Sequence, residues 1–190
     1  HDYITKFGFA KPTGIDLQEE SSGNIREKDA WREIDLATAA FGQGIAVTPI
    51  QMVQAVSAIA NSGRLISPQV VERIIDGQEK ETVKPANVRQ VISTKTAAQM
   101  TEMMVNAVEN GEAKAFVPKG YRIAGKTGTA QIPVAGHYDE NKTIASFVGF
   151  APAVNTRFAM LVLFNQPSSS PFGSETAAPL FFNIAKELIS

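Results

Sequence analysis

The residues best equipped for chemistry fall in one stretch, Gly120-Tyr-Arg-Ile-Ala-Gly125-Lys126-Thr127-Gly128-Thr129. Read as G-x-x-x-x-G-K-T, it matches the loop whose backbone N–H groups cradle nucleotide phosphates. That chemistry needs a buried strand before the loop and, directly after Lys-Thr, a helix whose N-terminal amides face the phosphates. Here Pro118 interrupts the preceding segment, and Gly128-Thr129-Ala130-Gln131-Ile132-Pro133 is a poor helix start. The one Asp that closes an apolar run, Asp76 after Ile74-Ile75, lies upstream and beside a glycine, so it adds little. A second chemistry suits the strand-like alternation of these residues better. Lys126 supplies a cation for a carboxylate, Thr127 a hydroxyl beside it, and Gly128 a position without a Cβ where another backbone can approach. The plain alternative is an exposed strand ending at a glycine.

Composition removes whole classes of mechanism. The 190 residues contain no cysteine, and His1 and His137 are the only imidazoles. Thiol nucleophiles, disulfides, Fe–S clusters, cysteine zinc sites and His-rich metal centres are therefore excluded. Lys plus Arg (18) nearly balances Asp plus Glu (19), without the basic excess that phosphate-backbone binding requires, so nucleic acid is not an expected partner. Apolar residues at 44% support a packed core of one domain, at most two. The longest apolar run, Phe158 to Phe164, is far shorter than the roughly 20 residues of a membrane helix.

The elements that must position Lys126 follow from local patterns. Residues 1 to 30 read as mostly loop after a short, strand-like start at Tyr3-Ile4. Thr48-Pro49-Ile50-Gln51 combines a hydroxyl N-cap, Pro at N1 and Gln at N3, a capping box that opens a helix with Met52, Val56 and Ile59 on its inner face. Asn61-Ser62-Gly63 ends it. A hairpin is expected from Val70 to about Val83, turning at Asp76-Gly77. A second helix from Ser93 or Thr94 stacks Ala97, Met100, Met104 and Val108, with the methionines as core filling, and ends at Asn110-Gly111. From residue 121 the period falls to two: Tyr121–Gln131, Thr143–Ala151 and Arg157–Asn165 are three strands whose short connections require antiparallel pairing. The third is apolar on both faces and is expected to be central and covered on both. A last helix after Ser174 aligns Leu180, Ile184 and Leu188. The predicted class is α/β (α+β), an antiparallel sheet sandwiched by helices.

Read together, seven segments carry a resemblance: Tyr3-Ile-Thr-Lys-Phe-Gly-Phe9, Thr13-Gly-Ile-Asp-Leu17, Phe41-Gly-Gln-Gly-Ile45 with Thr48-Pro-Ile-Gln-Met52, Ala60-Asn-Ser-Gly63, Ala124-Gly-Lys-Thr-Gly-Thr-Ala-Gln131, Ser146-Phe-Val-Gly-Phe150 and Ala177-Ala-Pro179. In this order, over essentially the whole chain, they resemble class B penicillin-binding proteins, the peptidoglycan D,D-transpeptidases of cell division and elongation. The resemblance implies the penicillin-binding transpeptidase fold and a K-T-G active-site wall at Lys126, Thr127 and Gly128. Lys126 would hold the D-alanyl-D-alanine end of a stem peptide and serve the proton network. The hydroxyls of Thr127 and Thr129 would contact its carboxylate, and the Thr129 N–H would donate to the oxyanion. Tyr121 and Ile123 are assigned to the core. No metal or organic cofactor is implied.

The same resemblance exposes what these residues lack. The family nucleophile sits in S-x-x-K, and no serine here has a lysine three positions later. Ser22-Gly23-Asn24 matches the family's S-x-N in letters, but it follows Gly14-Ile-Asp-Leu17, whereas the true motif precedes the Tyr-Ile-Thr-Lys-Phe-Gly stretch. Residues 1–190 are thus expected to be the C-terminal portion of the domain, with the nucleophile before His1. Implied partners are peptidoglycan stem peptides, β-lactams, a membrane glycosyltransferase and division or elongation proteins. The implied location is the outer face of the bacterial cell membrane, with any anchor N-terminal to these residues. The alternative function is a non-catalytic penicillin-binding scaffold or sensor. Phe41-Gly42-Gln43-Gly44 reads as a turn between helices, Trp31 as packing, and Ile132–Lys142 as a polar loop beside the K-T-G strand that could gate entry.

Overall fold

The computed structural model describes residues 1–9, 11–82, 88–134 and 137–190. The chain divides into two compact units, His1–Ser93 and Thr94–Ser190.

The first unit opens with helix α1 (Asp2–Lys6), so Tyr3 and Ile4 are helical rather than strand-like. Its single turn is closed by Thr5 N–H donating to His1 O (3.0 Å) and Phe7 N–H to Tyr3 O (2.9 Å). Asp2 and Lys6 sit at the ends whose dipole they complement, and this outweighs the β preference of an aromatic next to a branched residue. A 3-10 turn at Lys28–Ala30 and helix α2 (Glu33–Ala39) follow. Gly42 (φ 87°) and Gly44 (φ 77°) then make the expected turn to helix α3 (Pro49–Ala60).

The capping box of α3 is formed: Gln51 N–H donates to Thr48 Oγ1 (3.3 Å), and Thr48 N–H to Gln51 Oε1 (2.9 Å). Its inner face differs from the one expected. Gln51, Gln54, Ala55, Val56 and Ala58 are buried, while Met52 and Ile59 are only half-buried. The glutamines are inside because their amides find backbone partners. Gln51 Nε2 donates to Phe9 O (3.2 Å) and Lys11 O (2.8 Å), and Gln54 Nε2 to Ile66 O (2.9 Å). The helix ends at Gly63 (φ 84°), whose N–H returns to Ala58 O (2.8 Å).

Strand β1 (Arg64–Leu65) is followed by the hairpin β2 (Arg73–Asp76) and β3 (Glu79–Thr82), which turns at Gly77. The hairpin starts three residues later than expected, and its expected end at Val83 lies outside the described residues. Strand β4 (Arg89–Gln90) pairs antiparallel with β1. Ala58, Leu65 and Val91 form a small apolar cluster with Phe7 and Ile92 against it. The loop-like first 30 residues are pinned by two carboxylates. Glu20 accepts from Thr13 Oγ1 (2.6 Å), Thr13 N–H (2.7 Å) and Gly14 N–H (3.0 Å), and Asp16 from the N–H groups of Val70 and Val71 (both 2.7 Å).

The second unit begins with helix α4 (Thr94–Asn110), which buries Ala97, Met104, Val105 and Val108 and leaves Met100 at its margin. Strands β5 (Ala124–Val134), β6 (His137–Ala151) and β7 (Phe158–Asn165) form one antiparallel sheet in the order β5-β6-β7. Of the expected loop Ile132–Lys142, residues 132–134 and 137–142 are strand, and the remaining two lie outside the described residues. The two strands run on into a long hairpin, with Pro133 opposite Tyr138, Val134 opposite His137, and a register shift after Gln131. Main-chain pairing ignores side-chain polarity, which is why the polar composition misled. β7 ends the sheet order instead of standing at its centre, and Leu163 on its outer side is 42% exposed.

Helix α5 (Ala177–Ile189) packs on β6 and β7 with a face one step from the expected one. Ala177, Ala178, Phe181, Phe182 and Ala185 are buried, whereas Leu180 and Leu188 are more than 40% exposed. Small alanines let the helix approach the sheet closely, and two phenylalanines fill the space against Phe147 at centroid distances of 4.6 and 5.1 Å. Val108, Ile123, Phe147, Val162 and Phe181 belong to this one core, with Tyr121 packed against it. Among the described residues, no helix is long and apolar enough to cross a membrane.

Candidate active site

Strand β5 stands at the end of its sheet order, so only one of its edges is paired to a described strand. Thr127 lies opposite Phe147, Lys126 opposite Val148, Gly128 opposite Ser146 and Thr129 opposite Ala145. Period-two alternation then puts Thr127 and Thr129 on the Phe147 face, and Lys126 and Gly128 on the other. That separation would keep the lysine from its neighbouring hydroxyl. The four-carbon stem overcomes it: Lys126 Nζ donates to Thr127 Oγ1 (3.2 Å) and to Thr127 O (3.0 Å). The exposed ammonium thus wraps the strand rather than projecting from one face.

The main chain adds polar groups to the same edge. In an antiparallel strand the N–H and C=O of one residue point to one side, and those of the next residue to the other. Thr127 O meets the lysine ammonium at the unpaired edge, so the Thr129 N–H, two residues on, is directed to that edge as well. The Thr129 side chain is partnered differently. Its Oγ1 accepts the Gly173 N–H at 3.2 Å.

Two glycines let these pieces approach. A Cβ on Gly128 would lie 2.5 Å from Ser146 Oγ, so a side chain there would force that serine hydroxyl to rotate away. A Cβ on Gly125 would lie 2.5 Å from the Phe147 ring. Beside Lys126 and Thr127 a cleft of about 270 Å³ is lined by Gly125, Phe147, Ala107 and Gly111 to Ala113.

Ser22-Gly23-Asn24 does something else. Asn24 exchanges backbone hydrogen bonds with Ala46 (2.8 and 3.2 Å), and Gly23 has no room for a Cβ against Ala46 O. This is a backbone bridge between two loops of the first unit. Sequence reasoning missed Ser146, Thr143 and Gly173. The Ser146-Phe-Val-Gly-Phe150 segment was a usable signal for the first, but no local pattern marks the other two.

Among the described residues, an edge strand carrying Lys-Thr-Gly-Thr is thus backed by an antiparallel sheet and by helix α5. The family model of the penicillin-binding protein transpeptidase domain matches residues 1–186, spanning both units. Stage V sporulation protein D of Bacillus subtilis is 42% identical over 97% of the chain, and the peptidoglycan D,D-transpeptidase FtsI of Escherichia coli is 35% identical over 95%. The chain spans 29% of the length of each of these relatives. Penicillin-binding protein 3 of Mycobacterium tuberculosis, solved in complex with ampicillin, superposes with a TM-score of 0.92 at 31% identity, covering 99% of this chain and 44% of that one. The chain belongs to the penicillin-binding transpeptidase family, and the relatives it matches are of class B type.

Proposed function

We propose that the protein to which these residues belong is a serine-type peptidoglycan D,D-transpeptidase, and that this chain is the C-terminal part of its transpeptidase domain, supplying the K-T-G wall. The observation that carries this reading is the Lys126 ammonium wrapped onto Thr127 at an unpaired strand edge. A stem peptide ending in D-alanyl-D-alanine lies along β5 as an added strand, its terminal carboxylate near Lys126 and the hydroxyls of Thr127 and Thr129. A serine from the S-x-x-K motif, contributed by residues before His1, attacks the penultimate carbonyl. The Thr129 N–H donates to the oxyanion that forms. Collapse breaks the peptide bond, releases D-alanine with a proton on its amine, and leaves an ester on the serine.

An amine from a neighbouring stem then takes the acyl group and restores the serine hydroxyl. A β-lactam enters the first half only, its ring opening to an ester that persists. Action on peptidoglycan locates this domain on the outer face of the cell membrane, in company with a glycosyltransferase and with division or elongation proteins.

The test is covalent labelling of the full-length protein with a fluorescent penicillin. Labelling is expected, and it is expected to vanish when the S-x-x-K serine is changed to alanine. A wild-type protein that takes no label would instead be a non-catalytic scaffold.

A further inference from the structure

Gly173 lies in the segment between β7 and α5, is buried, and touches the site from beneath. A Cβ at this position would fall on Ser146 O and Gly128 O and 3.0 Å from Ser146 N, all backbone atoms of the paired strands β5 and β6. Its φ lies outside the left-handed region, so the demand for glycine here is one of space. The same residue donates its N–H to Thr129 Oγ1 at 3.2 Å. Two residues earlier, Pro171 O accepts from Thr143 Oγ1 at 2.6 Å, and Thr143 is 1% exposed on β6. Thr129 and Thr143 share a sheet face, because Thr129 opposes Ala145 and Gln131 opposes Thr143. One threonine accepts from the segment and the other donates to it.

A threonine hydroxyl has one hydrogen and two acceptor lone pairs. With a lone pair of Thr129 Oγ1 occupied by an N–H, its hydrogen cannot be given to Gly173 and is left to donate to a ligand. We infer that Gly173 is a positioning residue for the transpeptidase site: its N–H fixes the Thr129 hydroxyl as a donor to the substrate carboxylate, and Thr143 holds the segment that carries it. This rests on the role proposed above for Thr129. The same contact anchors the peptide between Gly128 and Thr129, whose N–H faces the oxyanion. An alanine side chain would lift the segment off the two strands and break the donation. Loss of one ordered hydrogen bond corresponds to roughly a three- to tenfold change in the rate it supports.

The experiment is a double-mutant cycle in the full-length protein, read as the second-order rate constant of acylation by benzylpenicillin. Gly173→Ala is expected to slow acylation about three- to tenfold in the wild-type and Thr129→Ser backgrounds, both of which keep the hydroxyl, and to change it less than twofold in Thr129→Val. Thr143→Val is expected to give a smaller loss with the same dependence on the hydroxyl, and it carries the test if Gly173→Ala does not fold. A loss of equal size in the Thr129→Val background, or no loss with the hydroxyl present, would overturn the inference. Failure of the wild type to acylate would overturn the proposed function instead, so the two are told apart.

Discussion

Helices α3 and α5 both bury one side, and the two buried sides are held by different forces. On α3 the inner positions are Gln51, Gln54, Ala55, Val56 and Ala58, and the glutamine amides bind backbone carbonyls of Phe9, Lys11 and Ile66. On α5 they are Phe181, Phe182 and three alanines, and the contacts are aromatic, against Phe147. The first unit also holds four carboxylates, Asp2, Asp16, Glu20 and Asp35, below their ordinary range. The N–H groups of Val70 and Val71 lower Asp16. Partial burial pushes Glu20 up, but the Thr13 and Gly14 donors outweigh it. The first unit is thus an arrangement of irregular segments tied by directional hydrogen bonds, and the second is a sheet sealed by apolar volume. That division suits the proposed function, in which an edge strand that takes a peptide needs a rigid sheet behind it.

Substitutions on the two helices separate these forces. The largest effect is expected from Phe181→Ala, which opens a cavity in the sheet core and lowers stability by about 3–5 kcal/mol in denaturant unfolding. Phe181→Leu is expected to recover most of that, since filled volume is what counts there. Gln51→Ala is expected to cost about 1–2 kcal/mol by removing a buried amide and leaving partly shielded backbone groups of Thr48, Phe9 and Lys11 without their partner. Gln51→Leu should recover none of it, although its size is similar. Equal recovery by leucine at both sites would erase the distinction.

Acid sharpens the same comparison with a smaller effect. A carboxylate whose folded pKa is depressed contributes stability that is fully present above its unfolded pKa and is lost as pH falls through the folded value. Asp16 and Glu20 should therefore loosen the first unit at and below pH of about 4, where carboxylates ordinarily protonate. Hydrogen exchange is expected to show the amides of Val70, Val71 and Gly14 losing protection before those of β6. Simultaneous loss in both units would contradict this.

What the sequence disclosed divides along the same line. Capping residues, turn glycines and period-two alternation gave α3, α4 and the three strands, because each is a local rule with a local cause. The K-T-G strand was visible for that reason, and the resemblance supplied its chemistry. The buried face of α3 was not visible, since a glutamine is interior only when distant carbonyls are waiting for it. Leu180, Ile184 and Leu188 misled because leucine spacing marks an apolar stripe without saying that two adjacent phenylalanines outweigh it. The hairpin extension through His137 was hidden by polar side chains on a backbone that pairs regardless. Gly173 lies far in sequence from Thr129 and reaches it by a direct hydrogen bond, and Thr143 holds the same segment at Pro171 O, so neither link has a local signal.

The central claim is that the Lys126 ammonium at the open edge of β5 belongs to a working acyl-transfer site. It is tested most directly by the acylation rate of the full-length Lys126→Ala variant with benzylpenicillin, with its thermal midpoint measured alongside. Lys126 is exposed and outside both cores, so the midpoint should stay near that of the wild type, while acylation should fall by roughly a hundredfold. A wild-type acylation rate in Lys126→Ala would contradict the account.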